Sequence, residues 1–438
     1  MHDNDKLNSI PRAPFVFAAG LLAAAGLAMA LDGAAIAVSQ AFLGDVDLST
    51  DGPVLAERAP LDVAERAAAE KAWGYIAGNT RAETGFVDAV EGFASATLWD
   101  QGSYLLGLVS AQRLGIVQQE EFDLRVDQFL GSLGRLELFE GTLPNKVYNT
   151  QSLAMVNYAN EDAPGGIGWS ALDIARLLMG LRVIEKHYTH HGPEIRRILA
   201  GWDLAAMAQQ GELIGVTRED EGPSERLQEG RIGYEQYAAR AAALWGLDVV
   251  RAISAERIVA WREIEGIDVA TDLRRAASFG AITPVLSEPY LLLAFELGLD
   301  AESALLAHRV YAAQAQRFKR TGLVTMVSED HLDAPPHFAY SSVISNGKPW
   351  AVVSEDGSFH DDMRSLSTKA SFGWDAVFAT EYSAFARERV ISLGSSKGYP
   401  AGIYEASGEV NDVLTLNTNA IILQALHYQE HGPLWSLR

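Results

Sequence analysis

The sequence contains no cysteine, which excludes a disulfide framework, a thiol nucleophile, a thiolate zinc site and an iron–sulfur cluster. Basic residues are also scarce, since 35 Lys and Arg stand against 57 Asp and Glu and give a formal net charge of −22. Phosphate backbones are bound by clustered cations, so this balance argues against nucleic acid as a partner. The sequence has no P-loop, G-x-G-x-x-G, G-x-S-x-G or H-E-x-x-H motif. We therefore predict no cofactor, and a neutral substrate in preference to a polyanion.

The N-terminus carries an uncharged apolar stretch over residues 13–31, preceded by two basic residues. This pattern is typical of a signal peptide, with Ala28-Met29-Ala30 as a small-x-small cleavage motif. The stretch is also long enough for a thin membrane-spanning helix, and a buried helix of the domain is the third alternative. We expect residues 1–30 to be a signal peptide or a membrane anchor. The rest of the chain would then be periplasmic or extracellular, and the anchor would be its only membrane contact, at the inner membrane.

Residues 31–59 are predicted to form an acidic linker. Acidic and hydroxyl side chains alternate from Asp45 onward as in a calcium loop, but Thr50 and Ala56 stand where an EF-hand needs Gly and Glu. No Pro-rich or low-complexity segment divides the remainder. We therefore expect residues 60–438 to form one domain.

A helical period dominates that domain. The run Ser170–Tyr188 is apolar nearly all round, which predicts a helix enclosed on every side. Similar helices are expected in succession, among them Leu98–Leu114, Trp374–Arg389 and Thr415–Tyr428, with short strand-like runs such as Leu323–Val327 between them. Fully apolar and amphipathic helices in alternation predict an all-α fold, an (α/α)6 toroid of two concentric layers with short β-hairpins in its loops. The rival, a superhelical solenoid, needs a sequence period of about 34–47 residues, and we find none.

The loops repeatedly combine glycine, an aromatic residue and an acid. Sugar rings need aromatic faces for their C–H surfaces, and glycosidic cleavage needs two carboxyl groups in different protonation states. Five runs show this combination: Thr84-Gly85-Phe86-Val87-Asp88, Leu98-Trp99-Asp100-Gln101-Gly102, Gly233-Tyr234-Glu235-Gln236-Tyr237, Phe372-Gly373-Trp374-Asp375 and Gly402-Ile403-Tyr404-Glu405.

Three acids in these loops are candidates for catalysis. Glu235 lies between two tyrosines at a predicted helix start, where partial burial would raise its pKa as a general acid requires. An ordinary charge at a helix N-terminus is the alternative. Asp88 and Glu405 are the candidate bases, although Asp88 also fits a turn-closing role after Gly85.

Aromatic, acidic and amide side chains of the same loops are candidates for substrate binding. Asp100 and Asp375 each follow a Trp where a helix is predicted to begin, so each also fits a helix cap. The amides of the stretch around Asn417 have the same two interpretations. The full set is Trp99, Asp100, Trp169, Tyr234, Tyr237, Trp374, Asp375, Tyr404, Asn417 and Asn419.

Three histidines, His187, His190 and His191, have the spacing of metal ligands. They end a predicted helix, where cationic side chains suit the helix dipole. We therefore predict no metal site.

These motifs together resemble an uncharacterised bacterial exported domain family over about residues 60–430. The resemblance rests on Thr84–Asp88, Leu98–Gly102, Leu143–Thr150, Gly168–Ser170, Tyr234–Ala239, Ser287–Tyr290, Tyr404-Glu405 and Leu416–Ala420. That family is similar in turn to glycoamylase-like enzymes with an (α/α)6 barrel, including the endo-β-1,2-glucanases.

The resemblance implies an inverting glycoside hydrolase in which Glu235 matches an acid of a Tyr-Asn-Glu-Tyr-like helix start. This chain lacks the Asn. It also implies that Asp88 lines the same cleft. We therefore predict an exported hydrolase or transglycosylase acting on a neutral glucan, which the resemblance makes β-1,2-linked, with Glu235 as acid and Asp88 or Glu405 as base. The alternative is a non-catalytic envelope glycan-binding or polysaccharide-assembly protein, in which the acids pair with Arg or cap helices.

Overall fold

The computed structural model describes residues 54–218, 222–274 and 280–436. All of them belong to one unit of the chain, which begins at Leu48. The predicted signal peptide or anchor and most of the predicted linker lie outside the described residues. None of the described helices combines the length and the apolar character needed to cross a membrane.

Helices buried on every side form an inner ring. The structure gives the helices, numbered in chain order with the outer ones included, as α1 (Val63–Asn79), α2 (Leu98–Arg113), α3 (Gln119–Leu133), α4 (Ala171–His187), α5 (Gly192–Leu199), α6 (Tyr234–Ala243), α7 (Glu288–Leu292), α8 (Ala301–Thr321), α9 (Thr368–Phe378), α10 (Glu381–Ile391) and α11 (Leu416–His431). The ring runs α2, α4, α6, α7, α9 and α11, each packed against the next, and α11 packs against α2. Helix α7 continues as a π-helical turn to Leu297. All residues of α9 are buried, as expected of an enclosed helix.

Amphipathic helices cover this ring from outside. Helix α3 buries Phe122, Val126 and Phe129, which share one helix face, and exposes charged residues on the other. Helices α1, α5, α8 and α10 lie in the same outer layer, packed on α11, α4, α7 and α9 respectively. Inner and outer helices therefore alternate along the chain, except that α7 follows α6 with no outer helix between them among the described residues. The predicted (α/α)6 toroid is the observed architecture.

The connections carry more β-structure than an all-α fold has. Every sheet among the described residues is antiparallel and has two or three strands. The strands are β1 (Ser95–Thr97), β2 (Leu138–Phe139), β3 (Leu143–Pro144), β4 (Val147–Asn149), β5 (Ala208–Gln209), β6 (Glu212–Thr217), β7 (Glu225–Gln228), β8 (Val259–Ile264), β9 (Ile267–Asp272), β10 (Glu329–His331), β11 (Phe338–Ser341), β12 (Ile344–Ser345), β13 (Lys348–Pro349), β14 (Val352–Val353), β15 (Ser365–Ser367), β16 (Pro400–Tyr404) and β17 (Val410–Leu414). The hairpins were predicted, but the pure all-α class is not confirmed.

Two local predictions were wrong. The run Trp374–Arg389 is not one helix, because Ala379 has a left-handed conformation with φ of 48° and separates α9 from α10. The run Leu323–Val327 forms no strand. Its Thr325 and Val327 amides donate instead to the Tyr382 hydroxyl and the Gln314 side chain.

Candidate active site

The N-terminal ends of four inner helices meet through polar side chains. The Lys369 ammonium at the start of α9 lies 2.6 Å from the Glu288 carboxylate at the start of α7. The Asn417 amide at the start of α11 donates to both Glu288 oxygens at 3.0 and 3.1 Å. The Ser103 hydroxyl of α2 donates to the side-chain oxygen Oδ1 of Asn417 at 3.0 Å. These contacts place a polar cluster at one end of the barrel axis.

Two carboxylates of β10 complete this group, and we call Glu288, Glu329, Asp330 and Lys369 the central cluster. The Lys369 Nζ lies 3.9 Å from Glu329 and 3.6 Å from Asp330, so one buried ammonium serves three buried carboxyl groups. The Tyr234 hydroxyl donates to Glu329. One cation for three acids means that the acids cannot all be ionised without repulsion.

The protonation states within the central cluster diverge. Burial raises the pKa of Glu288, but Lys369 and the Asn417 amide outweigh burial and hold that pKa below its usual range. Burial and repulsion from Glu288 raise the pKa of Glu329 well above its usual range. Burial also raises the pKa of Asp330 to about 6. The Oδ2 atom of Asp330 is buried and has no hydrogen-bond partner among the described residues.

A further carboxyl group, Asp173, lies in the first turn of α4 and keeps partial contact with solvent. Its pKa is raised to about 8, first by loss of hydration and then by repulsion from Glu229 and Asp100. Glu229 is itself held in place, because it accepts hydrogen bonds from Ser170 Oγ at 2.7 Å and from the Ala171 amide at 2.6 Å. Asp173 therefore carries a proton at neutral pH.

Aromatic side chains lie around these acids. The half-buried Trp99 ring contacts Tyr234 edge to face, with ring centroids 5.4 Å apart. The Arg176 guanidinium lies over the Trp99 ring, 5.2 Å from the ring centroid. Tyr158 is 60% exposed, and loss of hydration, followed by the charges of Asp173 and Glu355, raises the pKa of its hydroxyl. Loss of hydration, Glu355 and Glu329 raise the pKa of Tyr340 in the same way. Partly exposed aromatic faces beside carboxyl groups are the composition that binds sugar rings.

The barrel axis is closed beneath these residues. Arg176 of α4 pairs with Glu296 after α7, and both side chains are fully buried. The Tyr237 hydroxyl donates to Glu296 at 2.6 Å and accepts from Arg176 at 2.7 Å. With its amide oriented to satisfy both partners, Gln424 donates to Glu296 at 2.7 Å and accepts from Arg176 at 3.2 Å. The four side chains form a buried polar floor. The partly exposed side chains of Trp99, Tyr158 and Asp173 mark the side that solvent reaches, which we call the cleft.

The predicted general acid Glu235 is buried at the start of α6, but it faces away from the central cluster. Its carboxylate accepts from Arg274 at 2.5 Å and from Gln228 at 3.2 Å. Burial raises its pKa, as predicted, whereas Arg274 opposes that shift. The charged groups that act on it include Arg274, Asp272, Glu212 and Arg231.

The two predicted bases are also held by arginine. Asp88 is 1% exposed, accepts from Arg81 Nε at 2.9 Å and from Thr150 Oγ1 at 2.5 Å. Glu405 accepts from Arg317 at 2.7 Å and from Arg364 at 3.2 Å. Burial raises the pKa of Glu405, but the two guanidinium groups outweigh burial and hold it below its usual range. The catalytic roles of Glu235, Asp88 and Glu405 stay predictions.

Four predicted binding residues come together at the cleft. Trp99, Tyr234 and Asn417 contact the groups described above, and Asp100 accepts from Thr97 as part of the cap of α2. Burial raises the pKa of Asp100, and Glu288 and Lys369 both act on its charge. Asp100 therefore takes part in the cap of α2, as predicted, and its charge also interacts with the central cluster.

The other predicted binding residues lie elsewhere. Tyr404 is half-buried and donates to Asp333 at 2.7 Å. The remaining five are buried and have structural partners: Trp169 donates to the Ile214 carbonyl, Trp374 to Ser287 Oγ and Tyr237 to Glu296; Asp375 pairs with Arg387, and Asn419 fixes the Tyr399 backbone.

Sequence reasoning missed Asp173, Glu329, Asp330 and Lys369. One local signal could have identified Lys369: a lone cation in the first turn of an apolar helix is disfavoured by the helix dipole, so it needs an anionic partner. Asp173 had a comparable signal, as a rare acid in the nearly continuous apolar run of α4.

Two depressions differ in their relation to the cleft. A groove of about 840 Å³ lies between the outer helices α8 and α10, lined by aromatic residues such as Tyr311 and Phe385, and contains none of these acids. A smaller depression of about 300 Å³ is lined by Phe338, Glu355 and His360. The smaller depression borders the cleft, because its Phe338 lies on β11, which pairs with the strand β10 that carries Glu329 and Asp330.

Solved structures share this architecture. A glucoamylase candidate from Bacteroides caccae ATCC 43185 superposes with a TM-score of 0.62 at 13% identity, covering 85% of this chain and 94% of that chain. The endo-β-1,2-glucanase from Chitinophaga pinensis, solved with sophorotriose and glucose, has a TM-score of 0.60 at 11% identity and coverages of 85% and 93%. The β-1,2-glucanase from Parabacteroides distasonis has a TM-score of 0.58 at 10% identity, covering 84% of this chain and 56% of that chain. At these identities the likeness establishes the (α/α)6 fold.

No curated protein matches the sequence significantly. The sequence profile of one family does match, over residues 67–432, and this range contains every inner helix. The family resemblance inferred from the loop motifs is thereby confirmed. The chain belongs to the family described as Protein of unknown function (DUF3131), with a barrel similar to those of a glucoamylase candidate and of β-1,2-glucanases.

Proposed function

We propose that this protein is a glycoside hydrolase or transglycosylase that cleaves a glucan bound across the open face of the barrel. The observation that carries the proposal is the pair of acids Asp173 and Asp330, whose pKa values of about 8 and about 6 fall on either side of neutrality. Glycosidic cleavage needs one carboxyl group that carries a proton and one that is ionised at the same pH. Trp99 and Tyr158 supply aromatic faces for the sugar rings.

Asp173 is the proposed general acid. It keeps solvent contact, and it is protonated at neutral pH because loss of hydration and repulsion from Glu229 and Asp100 outweigh Ser170 and Lys146, which favour its charged form. It would protonate the departing glycosidic oxygen. Glu235 is less suited to this step because Arg274 stabilises its ionised form.

Asp330 is the proposed general base. Its Oδ2 has no hydrogen-bond partner among the described residues, so it can accept a hydrogen bond from an attacking water or glucan hydroxyl. Lys369 keeps it ionised above a pKa of about 6, although burial opposes ionisation. Proton transfer from the attacking hydroxyl to Asp330 and from Asp173 to the leaving oxygen balances the reaction.

A neutral, β-1,2-linked glucan is the proposed substrate. The Chitinophaga pinensis neighbour is an endo-β-1,2-glucanase solved with sophorotriose, which supports this linkage by likeness of fold. In the central cluster Glu288 and Asp330 are ionised at neutral pH beside one ammonium, Lys369, and the remaining negative charge disfavours anionic glycans.

A non-catalytic glycan-binding protein is the second candidate. The observation that favours it is the arginine pairing of Glu235, Asp88 and Glu405, which is the arrangement expected if the loop acids serve structure. This candidate uses the same aromatic cleft without a working pair of acids.

A glucan panel separates the two candidates. Purified protein is incubated with linear β-1,2-, β-1,3-, β-1,4- and α-1,4-glucans, and new reducing ends and transfer products are measured. We expect cleavage of β-1,2-glucan, lost in Asp173→Asn and Asp330→Asn but kept in Asp412→Asn, which changes an exposed acid on β17. Binding of glucan by affinity electrophoresis without turnover in the wild type would favour the non-catalytic candidate instead.

We also propose that residues 1–30 direct export, which the uncharged stretch over residues 13–31 supports. Cell fractionation of the full chain and of a variant lacking residues 1–30 tests this. Equal cytoplasmic retention of both would contradict export.

A further inference from the structure

We infer that Asp123, His190 and His191 form a Zn²⁺ site on the outer layer, at the end of α4 opposite to the cleft. The two histidines lie in the turn between α4 and α5, and Asp123 comes from α3. One ligand atom from each of the three side chains lies within 4.8 Å of the others. Two imidazoles and one carboxylate are a ligand set that zinc accepts with one position left for water.

The distances are close to those that a bound ion requires. His190 Nε2 lies 2.9 Å and His191 Nε2 lies 3.0 Å from the same Asp123 oxygen. Ligand atoms of a tetrahedral zinc site, each about 2.0–2.1 Å from the metal, are about 3.3–3.4 Å apart. Lengthening these two contacts by a few tenths of an ångström therefore gives the spacing of ligand atoms around a bound ion.

The surroundings also resemble those of a metal ligand set. The other ring nitrogen of His191, Nδ1, lies 3.1 Å from Asp127, one turn along α3 from Asp123. Metal-binding histidines almost always give their second nitrogen to such an acceptor, which fixes the tautomer that offers Nε2 to the metal. Gln119 donates to both Asp123 oxygens at 3.0 Å and orients the carboxylate. These contacts form a supporting layer around the three ligands.

Burial and charge favour a divalent cation as the occupant. His191 is 3% exposed and packs its ring edge against Phe122, whereas His190 is 56% exposed and leaves the site open to solvent. Metals bind imidazole in its neutral form, so the two aspartates would leave a charge of −2 at the loaded site, which a dication balances. The ion would tie α3 to the turn between α4 and α5, and metal binding to the folded state stabilises it by mass action.

A titration of the full chain without an affinity tag tests the site. The protein is treated with a chelator, dialysed and titrated with ZnCl₂ by calorimetry, and Co²⁺ is added separately as a spectroscopic probe. We expect one equivalent of Zn²⁺, a rise in melting temperature on binding, and the visible absorption of tetrahedral Co²⁺.

The variants identify the ligands. Asp123→Asn and His190→Ala change partly exposed side chains, so both should fold, and both should abolish stoichiometric binding. Asp127→Asn should weaken binding about 10–100-fold, as expected for a group that supports a ligand. His308→Gln, a histidine of α8 outside the group, should bind as the wild type does. Absence of stoichiometric Zn²⁺ binding in the wild type, or binding in His190→Ala and Asp123→Asn equal to that of the wild type, would overturn the inference.

Discussion

The Lys369 ammonium lies 2.6 Å from the Glu288 carboxylate, and both side chains are buried where α9 and α7 begin. The same ammonium is the cation nearest to Glu329 and Asp330 among the ion pairs of the described residues. The three acids therefore depend on one lysine.

Replacement of that lysine should destabilise the protein strongly. Lys369→Met leaves buried carboxylates without their cation, and breaking a buried pair costs about 3–5 kcal/mol. Urea denaturation at neutral pH measures the loss, which should shrink in acid as the carboxyl groups become protonated. Lys397→Met removes an exposed pair with Glu91 and should cost less than about 1 kcal/mol. Similar losses in both variants would contradict the dependence on Lys369.

The activity should follow a bell-shaped pH profile. The base Asp330 is ionised above its pKa of about 6, and the acid Asp173 is protonated below its pKa of about 8, so kcat/KM should fall on both sides of neutrality. Asp173→Asn should lower kcat by about 10²–10⁴-fold and remove the alkaline limb. If Asp173→Asn keeps residual activity and its pH profile has the same alkaline limb as the wild type, Asp173 is excluded as the acid.

Asp173 should also make the folded state less stable as the pH rises. The pKa of Asp173 is raised on folding, so between about pH 4 and about pH 8 the folded state holds a proton that the unfolded chain releases. Stability is therefore lost over this range, and Asp173→Asn should melt above the wild type by a margin that grows with pH. Thermal unfolding across this range measures the margin, and a constant difference would contradict the assignment.

Glu235 and Arg274 should behave as a structural pair. Their ion pair is largely buried, so Glu235→Gln or Arg274→Met should each destabilise the fold by about 3–5 kcal/mol, and the double variant should lose less than the sum. Urea denaturation of the four proteins gives the coupling. A folded Glu235→Gln variant with unchanged stability and no activity would support Glu235 as the acid predicted from the sequence.

His427 should limit stability in acid. Its side chain is fully buried in α11, neither ring nitrogen has a hydrogen-bond partner among the described residues, and burial lowers its pKa to about 3. Below about pH 6.5 the His427 imidazole binds a proton in the unfolded chain but stays neutral in the folded state. Stability is therefore lost as the pH falls from about 6.5. His427→Leu should shift the midpoint of acid unfolding to lower pH. A midpoint equal to that of the wild type would contradict this account.

The sequence predicted the barrel better than its cleft. The run Ser170–Tyr188 became α4 within one residue at each end, because an all-round apolar pattern is a local property of the chain. The division of Trp374–Arg389 was missed because Ala379 adopts a left-handed conformation without the glycine that usually signals it.

The cleft depends on contacts between distant residues. Burial of Glu235 was predicted from its neighbours along the chain, but its partner Arg274 lies 39 residues away and no local pattern indicates it. Asn417 and Glu288 are separated by 129 residues and meet only when the ring closes. Single-sequence patterns identify acids that suit catalysis, whereas the fold decides which of them share a cation.

The polar floor of Arg176, Glu296, Tyr237 and Gln424 blocks the barrel axis beneath the central cluster, so the barrel is accessible from the cleft side. If the protein cleaves a glucan as proposed, the polymer cannot pass through the barrel, and substrate and fragments would use the same opening. Fragments released slowly would then obstruct the next chain, and turnover would depend on how readily Trp99 and Tyr158 let them go.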